Sequence, residues 1–89
     1  MNIEDIVESL ERHCGDTESY SVYMRREAFE KWRGNILEKL SSRREVGGIF
    51  VKGVYKGYEV SIFNNGRVVI SGAKSEEDLI RLLEELLSF

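Results

Sequence analysis

The stretch EVSIFNNGRVVIS, Glu59 to Ser71, constrains the fold more than any other part of the chain. Apolar and polar side chains alternate on both sides of Asn64, Asn65 and Gly66. Alternation with a period of two marks a half-buried strand, and Asn-Gly between two such runs is the strongest short hairpin signal. Tyr58, Val60, Ile62, Val68 and Ile70 fall on one side and form the expected core face. Glu59, Ser61, Phe63, Arg67, Val69 and Ser71 fall on the other. A slip of one residue would exchange the two sets, so the assignment stands or falls as a unit. Phe63 and Val69 are apolar on the side that should face water, which suggests a surface made to touch something.

Around this hairpin the chain reads as short alternating or amphipathic pieces. Residues 2–14 read as a first helix, with Ile3, Ile6, Val7, Leu10 and Cys14 at three- and four-residue spacing, Asn2 as N-cap and Gly15 as stop. Residues 19–25 alternate as a strand, with Tyr20, Val22 and Met24 on one side. Residues 27–41 carry a broad apolar stripe of Ala28, Phe29, Trp32, Ile36, Leu37 and Leu40. Gly34 within it either allows close packing or marks a break. Residues 42–47 read as a polar connection, and residues 48–54 as a strand followed by a turn at Lys56 and Gly57. Ser75 caps a last helix rich in leucine, with Glu76, Glu77 and Asp78 in its first turn and Phe89 closing the core. The expected fold is α+β, in the order α-β-α-β-β-β-α. It has an antiparallel, curved sheet of about four strands with the helices on one face and the other face open.

Composition excludes several function classes. The 89 residues suffice for one domain, 1–89, with 1–16 as an additional N-terminal helix. The single Cys14 and single His13 exclude a disulfide framework, a cysteine-rich zinc site and two-histidine metal motifs. No catalytic constellation and no phosphate-loop or dinucleotide fingerprint is present, so no enzyme, metal or cofactor is expected. There is neither a signal-peptide pattern nor an apolar run of membrane length, and a cytoplasmic location is the expectation. A net charge of −3 excludes nucleic-acid binding by bulk charge. A local stripe of Lys52, Arg67 and Lys74 would be needed, because phosphate contacts require only local charge.

The segment IFNNGRVVISGAKSEEDL, residues 62–79, resembles one repeat of the TATA-binding protein family, and EVGGIFVKG, residues 45–53, matches it more loosely. The resemblance implies half of a saddle whose open sheet lies in the DNA minor groove, a binding mode that uses apolar wedges between bases. By that resemblance Phe63 matches a wedge aromatic, Val69 and Ser71 line the groove, and Arg67 and Lys52 lie near phosphate. The second wedge position falls on Val46 and a groove-facing leucine position on Ser61. Glu59 would place a carboxylate on the same face. One repeat makes a full saddle only as a homodimer or with another chain. Two functions stay open. One is a non-catalytic module binding duplex or hybrid nucleic acid through the open face. The other is a protein–protein interaction or assembly module using that face or a sheet edge.

Overall fold

The computed structural model describes residues 3–13 and 19–87. In chain order these form a single helical turn α1 (Ile3–Ile6), β1 (Val7–His13), β2 (Ser19–Met24), α2 (Arg26–Lys39), β3 (Ser41–Val46), β4 (Phe50–Tyr55), β5 (Tyr58–Phe63), β6 (Arg67–Ser71) and α3 (Glu76–Leu87). The strands make a six-stranded sheet in the order β1-β2-β6-β5-β4-β3. Every neighbouring pair is antiparallel. The class is α+β as expected, but the sheet has six strands rather than about four, and the element order gains two strands. The proposed roles of Asn2, Cys14, Gly15 and Phe89 lie outside the described residues.

Both added strands replace segments read otherwise. Residues 7–13 are not helical: β1 pairs with β2, with a register shift between Val7 and Ser9. That shift is a bulge, and a bulge inserts one extra residue on its strand. Val7 and Leu10, three apart, therefore both reach the helical side and pack against the core. The spacing that suggests a helix is the spacing of a bulged strand. Residues 41–46 are not a loop. They form β3 along β4, also with a register shift, and every residue of β3 is exposed.

The hairpin register follows the alternation. Ile62 faces Val68 and Val60 faces Ile70, and all four are buried together with Tyr20, Val22 and Met24 of β2. Phe29 and Ile36 of α2, Leu40 just beyond it, and the leucines of α3 complete one core on this side of the sheet. Ser75 caps α3, its Oγ accepting from the Asp78 N–H at 3.2 Å. Lys39 closes the other end of α3, donating to the Glu85 and Leu86 carbonyls at 2.6 and 3.0 Å. Lys56, in the β4–β5 turn, pairs with the Glu85 carboxylate, whose hydrogen bond and charge raise its pKa. α2 runs unbroken through Gly34, where an added Cβ would meet nothing within 4 Å, so close packing is not the reason for that glycine.

Two glycines do have positional reasons. Gly66 adopts φ +92° in the β5–β6 turn, and a Cβ there would meet the Met24 carbonyl at 3.3 Å. At Gly53 of β4 a Cβ would sit 2.8 Å from the Leu40 Cβ, so the chain leaving α2 crosses directly over this point. No helix among the described residues is long and apolar enough to cross a membrane.

Candidate nucleic-acid interface

The side of the sheet away from α2 and α3 is open. Directly paired residues of antiparallel strands share a face, so the registers arrange this face into three rows running across the strands. The first row, at the end carrying the β5–β6 turn, takes Tyr23 and Arg67 from paired positions of β2 and β6. It continues through Phe63 and Phe50, paired on β5 and β4, to Val46 on β3. The second row runs Glu11, Ser21, Val69, Ser61, Lys52, Arg44. The third takes His13, Ser19, Ser71, Glu59 and Val54.

The sequence-derived site residues all lie on this face. Phe63, Arg67 and Val46 meet in the first row, Val69, Ser61 and Lys52 in the second, and Ser71 stands apart in the third. The basic stripe of Lys52, Arg67 and Lys74 does not form. Lys74 lies between β6 and α3, beyond the far end of β6 from Arg67. Nor is the face covered by an N-terminal helix. β1 extends the sheet, and the short α1 packs against α2 and α3.

The first row is a continuous stack. The Phe50 and Phe63 rings lie 4.7 Å apart at 26°. The Arg67 guanidinium carbon is 5.4 Å from the centre of the Phe63 ring and 6.0 Å from that of Tyr23. Such cation–ring contacts stabilise the arrangement and aim the guanidinium. Residues 34–89 match the family described as Transcription factor TFIID (or TATA-binding protein, TBP). The chain belongs to the TATA-binding protein family. No curated protein and no solved structure matches significantly. The family is one of non-catalytic DNA-binding proteins, and its matched span contains β4, β5 and β6, hence Phe50, Phe63 and Arg67 of the stack.

Val46, expected at the second wedge position, is 37% exposed and directly opposite Phe50. The ring that pairs with Phe63 is Phe50, a residue absent from the sequence-derived site. Alternation holds its signal: Phe50 is two positions before Lys52 on the same strand and so shares its face. Next to it, Ile49 in the β3–β4 turn is 63% exposed.

Arg67 is fixed from below. Its Nε and Nη2 donate to Ser21 Oγ at 3.1 and 3.0 Å. His13 Nε2 lies 2.6 Å from the same oxygen. A hydroxyl has two acceptor positions and one donor. Arg67 uses the acceptors, and the Ser21 hydroxyl donates to His13 in the tautomer whose Nε2 is bare. This explains how Ser21 can be completely buried although it lies on the open side. In the second row, Lys52 Nζ lies 2.8 Å from the Glu59 carboxylate, with both side chains about half exposed. An ion pair at that exposure contributes at most about 1 kcal/mol and yields readily to a competing anion.

Proposed function

We propose that this chain is a non-catalytic module that binds nucleic acid through the open face of its sheet, acting as a single cytoplasmic domain without metal or cofactor. The observation that carries the reading is the Tyr23–Arg67–Phe63–Phe50 stack, of which Phe50, Phe63 and Arg67 lie in the span that matches the family. The rings offer surfaces for bases, and Arg67 offers a positioned charge. A half-saddle completed by a second copy belongs to the same proposal.

Fluorescence anisotropy with labelled duplex, single strand and RNA–DNA hybrid tests it. Binding that weakens steeply between low and moderate salt is expected. The Phe63→Ala/Arg67→Ala variant should lose it while keeping a cooperative thermal melt. Absence of binding to all three ligands at low salt rejects the reading.

A second reading, a protein-interaction module, is favoured by β3. Among the described residues no strand pairs with its outer edge, and Val46 and Ile49 beside it are exposed. Such an edge accepts an added strand from a partner. A second copy joining at that edge would appear as doubled mass in sedimentation.

A further inference from the structure

We infer that the open face is built for a single strand rather than a duplex, with bases on the Phe50–Phe63–Arg67–Tyr23 row and a phosphate in a hollow between β3 and β4. The inference rests on the nucleic-acid reading above and narrows its ligand. The hollow has a volume of about 190 Å³ and is lined by Ser42, Arg44, Lys52, Gly53, Val54 and Glu59. It lies where the register of β3 against β4 shifts between Ser41 and Arg44, with Ser42 at φ 53°. Arg44 and Lys52 are directly paired across the two strands, so their cationic heads share the open face.

Phe50 and Lys52 are two residues apart on β4, which separates the ring row from the cationic row by about 6.7 Å. That is the order of the distance from a base to its own phosphate. The Lys52–Glu59 pair is half exposed, so a phosphate can replace the Glu59 carboxylate without leaving a buried charge behind.

The same features disfavour a duplex. Wedging into a base step requires unstacking and bending the duplex, and many backbone contacts must offset that cost. Here the cationic side chains of the three rows are few: Arg67, already bound to Ser21, and the Arg44–Lys52 pair. Glu11, at the β1 end of the second row, would face a second backbone, whereas Glu59 lines the hollow itself and weighs on either form alike. A single strand needs no bending, stacks on rings whatever its sequence, and can keep its one backbone on the β3–β4 side, away from Glu11.

The test compares one labelled strand of roughly 16 nucleotides, alone and annealed to its complement, with the 89-residue chain across a salt series. The strand alone should bind roughly tenfold or more tightly than the duplex. Phe50→Leu should weaken it by roughly five- to hundredfold, and Phe50→Tyr, which keeps a ring, should bind like the parent. Arg44→Ala/Lys52→Ala should make the log–log salt slope shallower by about 1.4. Thermal melts separate lost binding from lost folding, and the exposed Arg44 and Lys52 provide a variant that does not touch the core. Equal or tighter duplex binding overturns this inference and leaves the broader nucleic-acid reading standing. Strand binding that neither variant alters overturns the assigned site. No binding to either form at low salt overturns this inference, and the broader reading falls with it when the RNA–DNA hybrid also fails to bind.

Discussion

The two ends of the open face use the same strands and registers yet present opposite chemistry. At the end near the β5–β6 turn, Tyr23, Arg67, Phe63 and Phe50 stack into one row. At the other end, His13, Ser19, Ser71 and Glu59 present imidazole, hydroxyls and a carboxylate. Alternation explains why all of these residues face outward, but it does not explain the contrast. The difference teaches that the face is not a uniform groove floor. Ring surface and oriented cation are concentrated within the breadth of four strands, while the far end is suited to water or to a polar partner.

The largest expected effect is loss of the stack. Phe50→Ala with Phe63→Ala removes both rings, and each base–aromatic stack contributes about 1–3 kcal/mol to single-strand binding. Anisotropy should show affinity reduced roughly hundredfold or more. The matched control, Ser19→Ala with Ser71→Ala at the far end, should change it by less than about twofold. Comparable losses from the two variants would erase the contrast and distribute binding over the whole face.

Next comes the support beneath the stack. Ser21→Ala removes the acceptor that Arg67 uses twice and the donor to His13. A hydrogen bond to a charged group contributes about 1.5–3 kcal/mol. Because Arg67 can turn partly to water, the expected loss of stability is smaller, about 1–2 kcal/mol in chemical denaturation. Affinity should also fall severalfold, because a free guanidinium must be reordered on binding. A variant that melts early but binds normally would show that Ser21 supports the fold and not the aim of Arg67.

The same two ends show what was legible in the sequence. The hairpin faces were readable because burial alternates along each strand, from Tyr58 to Phe63 and from Arg67 to Ser71, and the register admits one assignment. β3 was not readable, since Ser-Ser-Arg-Arg-Glu has no buried side chain and strand preference reflects packing more than backbone. It becomes a strand because β4 has a free edge to pair. β1 reads as a helix in the sequence because the bulge after Val7 gives a strand the spacing of a helix. Phe50 was in reach of simple alternation with Lys52. The Ser21–Arg67–His13 cluster was not: Arg67 is 46 positions from Ser21, and His13 is 8 positions from it. Only the pairing of β2 with both β1 and β6 brings the three together.

The smallest effect sharpens the comparison most. Glu59→Gln neutralises the carboxylate of the far end without changing its size. Lys52 loses a half-exposed partner, and such pairs contribute at most about 1 kcal/mol, so stability should move by about 0.5 kcal/mol or less. Binding should strengthen, by roughly threefold at low salt, because a repelling charge is gone and Lys52 is released toward phosphate. The log–log salt slope for a single strand should stay the same, because Lys52 already neutralises one phosphate in the parent. If the slope steepens by about 0.7, Glu59 holds Lys52 away from the backbone in the parent and the hollow takes its phosphate only when that carboxylate is gone. If affinity falls, the Glu59 carboxylate itself contacts the strand, as an acceptor for a base amino group, and the polar end of the face becomes part of the binding end.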